Sequence, residues 1–339
     1  MATILKSKSI YYNDVNLIAK IAKVNSRTEV PRELHRIFVS PMSSIIGKNF
    51  ALEANRLGLG LLLHRFCSEK EEAALFESIP DKSNVFCSIG LNDWERVDTL
   101  KEAGCKNWLI DIANGYIGSI TNTVNKLTQV KDIQIDSLMC GNVHTSEGFD
   151  YLSDLLSFNN EVKTYIRVGI AGGSVCATSD STGVNRGQIT EIMECHRNRY
   201  TPHSHNPFSS PKHAFICADG GIKNGNYAAK AFAAGADYLL MGGYFARAKE
   251  AETHIKGDGS YWGGASYKQS ELYNKVKRNH SEGKILEIQD KEIKPLSVLV
   301  DELWGGLSSA VSYCGEKTLK DLIGNGVFEV KQNSLSPRK

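Results

Sequence analysis

Eight short apolar runs, rich in Val, Ile, Leu and Phe, return about every 25 residues through the middle of the chain. They occupy 37–41, 58–64, 84–89, 108–112, 136–141, 165–170, 214–218 and 237–242. Between them lie stretches with charged and apolar residues at helical spacing, such as 70–78, 93–103, 148–156 and 226–234. Gly104, Gly221 and Gly235 fall where helix caps or turns are expected. Near-continuous apolar strands that alternate with helices predict a parallel sheet covered on both faces. Eight such units in about 210 residues suit a closed (β/α)₈ TIM barrel better than an open doubly wound sheet. The fold class is therefore α/β.

Length alone leaves two ordinary domains or one large barrel open at 339 residues. The strand count favours one catalytic domain over 1–339. A chain with 41% hydrophobic and 23% charged residues is expected to be soluble and globular. A net charge of +2 with interspersed signs argues against nucleic-acid and membrane partners. The apolar run around 59–63 is far too short to span a bilayer, and the first ten residues lack a signal-peptide core. Eight cysteines stand singly with no CxxC pair, which reads as free thiols in a reducing cytoplasm.

Two stretches fall outside a bare barrel. Residues 197–212, with His203, His205 and three prolines, read as a surface loop. No zinc spacing links His196, His203, His205 and His213. Residues 251–297 are polar and contain glycines, so they read as a mobile flap over the barrel mouth, and 331–339 as a frayed tail.

Polar and glycine residues gather at the C-terminal ends of the strands, where barrels build their active sites. They include His64-Arg65, Asp111, Asn142, Asp219-Gly220-Gly221 and Gly242-Gly243. The last two glycine pairs follow the seventh and eighth strands, where a phosphate cradle is expected. Ser174, Gly220, Gly221, Gly242 and Gly243 would then offer a hydroxyl and backbone N–H groups to a phosphate. Asp219 reads either as a strand-end cap or as an acceptor for sugar hydroxyls. The segment "VGIAGGSVCAT" delivers Cys176 at the mouth of a glycine turn. A thiol held there is a candidate nucleophile; the alternative is a buried structural cysteine.

"RVGIAGGSVCAT", "ICADGGIKNGNYAAKAFAAGADYLLMGG" and "LIDIANGY" together resemble the IMP dehydrogenase/GMP reductase family, and the likeness runs from "YYNDVNLI" to "GGLSSAVSYCG". The resemblance implies a (β/α)₈ barrel, in agreement with the strand count. It also favours the reductase branch. There is no room after Arg65 for the regulatory CBS pair of dehydrogenases, and the flap holds no Arg-Tyr dipeptide. Thr178, Ser281-Glu282-Gly283 and "IMECHR" match reductases.

That branch converts GMP to IMP with NADPH, releasing ammonia. The likeness implies that Cys176 attacks carbon 2 of guanine to form a thioimidate, with Thr178 and Glu282 handling the leaving amine's proton. It implies that Asp219 meets the ribose and that Gly263, Gly264 and Ala265 face the base. It puts Ser26, Arg27, Arg65, Asp111, Ala113, Asn114, Ser309 and Ser312 at the dinucleotide, the two serines across a subunit boundary of a homotetramer. Potassium would lie on the carbonyls of Ala171, Gly173 and Cys176.

The base-facing stretch departs from the family. Gly264 stands in place of a methionine and Ala265 in place of a serine, and "GIAGGS" replaces "GIGPGS". Two consequences are open: GMP held through backbone groups, or a deoxy or base-modified guanine nucleotide admitted by extra space at 264–265. IMP dehydrogenase activity and a silent purine-nucleotide-binding protein are the competing functions.

Overall fold

A computed structural model describes residues 8–130, 132–199, 214–274 and 283–331. A short strand β1 (Val15–Leu17) precedes the barrel. The barrel strands are β2 (Ile37–Val39), β3 (Gly60–Leu62), β4 (Val85–Ile89), β5 (Asn107–Asp111), β6 (Ser137–Val143), β7 (Lys163–Val168), β8 (Phe215–Asp219) and β9 (Tyr238–Met241). Neighbours pair in parallel, and β9 closes onto β2. All eight expected strands are present. β7 stops at Val168, short of the expected end, because Gly169 turns the chain out of the sheet at a φ of +139°.

Helices α1 (Lys48–Arg56), α2 (Glu69–Ser78), α3 (Trp94–Glu102), α4 (Gly118–Gln129) and α5 (Ser146–Leu156) follow β2 to β6 in turn. A one-turn α6 (Thr178–Thr182) and then α7 (Gln188–Arg199) follow β7, and α8 (Gly225–Ala234) follows β8. Local chemistry sets their ends. Ser68 accepts from the Glu71 amide and Glu71 accepts from the Ser68 amide, which caps α2 at both orphan donors. Asn224 caps α8, and Gly235 ends it in the left-handed region.

Strands buried on both faces need two cores, and the barrel has them. Phe38, Leu62, Phe86, Leu109, Met139, Tyr165, Cys217 and Leu240, one from each strand, fill the interior as a separate cluster. Phe86 meets Phe38 and Tyr165 edge-on at 5.5 and 5.4 Å. Residues of opposite register, such as Val39, Leu61 and Ile110, pack outward beneath the helices. The interior is thus filled, and binding is confined to the rim.

After β9 come α9 (Glu252–Ile255), β10 (Ser260–Trp262), α10 (Tyr267–Gln269) and β11 (Ile285–Glu287). β10 and β11 form an antiparallel ribbon within the expected flap, and Tyr261, Trp262, Ser266 and Gln269 are buried there. Aromatic residues among the polar ones give this segment an apolar side. Helix α11 (Leu296–Tyr313) then lies against α8, where Gly225 and Gly306 bring the two backbones close. A turn α12 (Leu319–Leu322) precedes β12 (Phe328–Val330), which pairs with β1. No disulfide joins the eight cysteines. No helix among the described residues is long and apolar enough to cross a membrane. Residues 332–339 and most of the expected 197–212 loop lie outside the described residues.

Candidate active site

The C-terminal ends of the strands surround a cavity of about 1300 Å³. The loop after β7 enters it first. A side chain at Gly169 would place a Cβ 2.0 Å from the Asp219 carbonyl oxygen, so only glycine lets β7 and β8 meet there. Ala171 follows with a φ of +64°. The Cys176 amide then donates to the Gly173 carbonyl at 3.1 Å, closing a turn just before α6. This turn presents Cys176 to the cavity, and the thiol donates to Thr178 Oγ1 at 3.2 Å.

The flap backbone covers the same turn. The Lys284 amide donates to the Val175 carbonyl at 2.7 Å, and Cys176 pairs with Gly283 as an isolated antiparallel bridge. Glu282 precedes Gly283 in the chain but lies outside the described residues. Cys176 is half-buried and is the one cysteine of the eight that lines the cavity. Burial pushes the Cys67 thiol up to about 12, and raises those of Cys140, Cys195 and Cys217 too. Burial disfavours the thiolate form at all four.

A charged network forms the floor. Arg167 of β7 donates to Asp219 Oδ2 from Nε at 3.0 Å and Nη2 at 2.9 Å, and to Asp111 Oδ1 from Nη1 at 2.6 Å. Asn142 Nδ2 donates to the same Asp219 oxygen at 2.8 Å and to the Gly169 carbonyl at 2.7 Å. Burial would lower the Arg167 pKa, but the two carboxylates hold it above its usual value. A buried arginine shared by two acids fixes three strand ends, β5, β7 and β8, in one geometry. All three donors converge on Oδ2 of Asp219, and Oδ1 takes none of them.

The two glycine pairs flank the turn that carries Cys176. Gly220 lies against Gly172 and Gly173, and Gly243 lies against Ser174 and Tyr261. Ser174 Oγ and the Tyr261 hydroxyl share a hydrogen bond of 2.6 Å. The structure therefore brings Ser174, Gly220, Gly221, Gly242 and Gly243 to one wall. Arg65, Asp111, Ala113 and Asn114 also line the cavity. Ser26, Arg27, Ser309 and Ser312 do not. Arg27 donates to Ser309 Oγ at 3.2 Å, outside the cavity lining.

Gly263, Gly264 and Ala265 reach the cavity from the flap. The volume that a side chain at 264 would take is not empty. A Cβ on Gly264 would lie 2.6 Å from Phe66 Cζ, so a ring from the barrel wall fills that volume. Among the described residues, no group of three or more His, Cys, Asp or Glu is placed to hold a metal ion. His196 receives a hydrogen bond from Arg199 at 3.1 Å, and His203, His205 and His213 lie outside the described residues.

Sequence reasoning passed over Arg167, Tyr261 and Phe66. Arg167 carried a signal, since a charge inside an apolar strand must find buried partners. Tyr261 and Phe66 carried none, because their roles depend on what the chain brings opposite them.

Comparison with known proteins supplies a further finding. The IMP dehydrogenase / GMP reductase domain profile matches residues 9–336. The chain is 27% identical to a GMP reductase of Caenorhabditis elegans, over 97% of this chain and 93% of that protein. It is 30% identical to a GMP reductase of Chromobacterium violaceum, over 92% and 95%. It is also 30% identical to an inosine-5′-monophosphate dehydrogenase of Tritrichomonas foetus, over 73% of this chain but 49% of that protein.

Proposed function

The chain belongs to the IMP dehydrogenase/GMP reductase family, and on that premise we propose that it is a GMP reductase that converts GMP to IMP and releases ammonia. The observation that carries the reading is the Cys176–Thr178 pair, thiol to hydroxyl at 3.2 Å, on a glycine turn at the mouth of the cavity. Relatives named GMP reductase match over nearly the whole length, which supports it.

A thiol suits the chemistry because it adds to an electron-poor carbon and later leaves. Cys176 sulfur bonds to carbon 2 of guanine as the thiol gives its proton to Thr178 Oγ1 and that hydroxyl passes its own proton on toward the leaving amine. The carbon–nitrogen bond breaks as ammonia departs with that proton, which leaves a thioimidate on Cys176. An amine leaves only when protonated, so an acid is required. Glu282, one residue before the Gly283 that pairs with Cys176, is assigned that part with Thr178. The reduced nicotinamide supplies a hydride to carbon 2 when bound, and Cys176 leaves as thiolate.

Binding follows from the walls. The phosphate is assigned to the Ser174 hydroxyl and the amides of Gly220, Gly221, Gly242 and Gly243. Oδ1 of Asp219 accepts from the ribose, with Arg167 and Asn142 fixing the carboxylate through Oδ2. The cavity exceeds what one nucleotide needs. Asp111, Ala113, Asn114 and Arg65 line the remainder, which suits a nicotinamide. Arg65 and Arg27 favour NADPH over NADH, since arginine matches an extra phosphate. Ser26, Arg27, Ser309 and Ser312 lie off the cavity, so in this reading they serve a neighbouring copy's dinucleotide within a homotetramer. Carbonyls of Ala171, Gly173 and Cys176 are the donor type a potassium ion takes. The single-domain organisation and a cytoplasmic location belong to the same proposal.

The test is to supply NADPH with GMP, dGMP or a base-modified guanylate and follow nicotinamide absorbance and free ammonia. GMP is expected to be the best substrate, with one ammonia released per NADPH oxidised. Formation of XMP from IMP and NAD, or binding without turnover of any guanylate, would overturn the assignment.

A further inference from the structure

We propose that Phe66 is a specificity-determining residue that supplies the apolar wall for the substrate's base, with Gly264 as its obligatory partner; the proposal rests on the reading of the site as a GMP site.

Gly264 viewed alone looks like a lost contact. The geometry says otherwise. A Cβ at 264 would meet Phe66 Cζ at 2.6 Å and Cε2 at 2.9 Å, closer than side-chain carbons approach. Phe66 follows the end of β3 and is half-buried on the cavity wall. The Arg65 guanidinium lies 5.2 Å from its ring centroid, and the His64 ring stacks at 6.4 Å. The ring therefore occupies the volume a side chain at 264 would take, and the absence of that side chain is what admits it.

The pair also sits where the reacting ring must lie. Gly263, next to Gly264, would place a Cβ 3.5 Å from Val175 Cγ2, and Val175 adjoins Cys176. Phe66, Gly264 and Cys176 all line the one cavity, so a base held over the thiol shares that space with the Phe66 ring. An aromatic wall gives contact area but neither donates nor accepts a conventional hydrogen bond. Recognition at this wall is by surface contact, and it comes from the barrel rather than from the flap.

Four variants test this: Phe66→Ala, Phe66→Leu, Gly264→Met and the Phe66→Ala/Gly264→Met pair. Each is assayed for steady-state kinetics, for calorimetric GMP affinity without cofactor, and for melting temperature. Phe66→Ala is expected to weaken GMP binding about 5- to 100-fold, the range of aromatic–base contacts. Phe66→Leu keeps apolar bulk and weakens it less; it also serves if the alanine variant melts early. The KM for NADPH stays within about threefold. Gly264→Met costs about tenfold or more beside Phe66 and clearly less beside Ala at 66, so the two effects do not add.

Unchanged GMP affinity in Phe66→Ala, a loss confined to the KM for NADPH, or additive costs would each overturn the proposal. If the wild type binds GMP in this Phe66-dependent way without consuming NADPH, the reductase reading fails and the pair stands. If it consumes NADPH while all four variants bind GMP alike, the pair fails and the reductase stands. No GMP binding by the wild type would remove both.

Discussion

Ala171 holds a φ of +64° in the turn that presents Cys176. A Cβ in that left-handed geometry costs about 1–2 kcal/mol. Glycine there would remove the cost, while the more flexible unfolded chain takes back about 0.5–1 kcal/mol. Ala171→Gly is therefore expected to stabilise the protein by under about 1 kcal/mol, raising the melting temperature by about 1–2 °C. A lower melting temperature would show that the turn carries no such strain. The same scale shows what one sequence can and cannot reveal. The place of Cys176 and the glycine pairs at the cavity was legible because a turn, a thiol and paired glycines are local features. The Arg167 network was not, since its partners Asp111, Asn142 and Asp219 come from three other strands or strand ends. Phe66 and Gly264 stand nearly two hundred residues apart in the chain, and only folding makes one the reason for the other.

Helix α7 carries a liability on its buried face. Glu191 is 1% exposed, and neither carboxylate oxygen has a hydrogen-bond partner among the described residues. Burial raises its pKa from 4.5 to about 9, with Arg186 opposing the shift only in part. Between those values the folded state binds a proton that the unfolded chain has released. Stability from this group is present below 4.5 and is lost as pH rises toward 9. At neutral pH the loss is on the order of 3 kcal/mol. Glu191→Gln cannot ionise, so its advantage over the wild type should be small near pH 4 and widen through pH 8. Melting curves across that range check this; a constant difference would contradict it. No helical stretch was read over 188–199, and the expected 197–212 loop begins inside this helix. The burial of Glu191 was not legible either, because sequence does not say how deep a helix face sits.

The whole molecule explains why the fold read so clearly from the sequence. A parallel barrel buries both faces of every strand, so each strand must be apolar along its length, and the eight runs follow from that demand. The flap obeys no such demand. Its polar composition hid the β10–β11 ribbon and the burial of Tyr261 and Trp262. Glu282 rests on motif likeness, since it lies outside the described residues. The barrel joins these parts by bringing all its strand ends to one rim, where a thiol, an arginine-fixed carboxylate and glycine amides face one cavity. The central claim is that this rim does covalent chemistry through Cys176. GMP affinity and NADPH-dependent turnover of Cys176→Ala test it most directly. The account predicts GMP binding within about threefold of wild type and turnover lower by about 10³-fold or more. A variant that keeps about a tenth or more of wild-type turnover would contradict it.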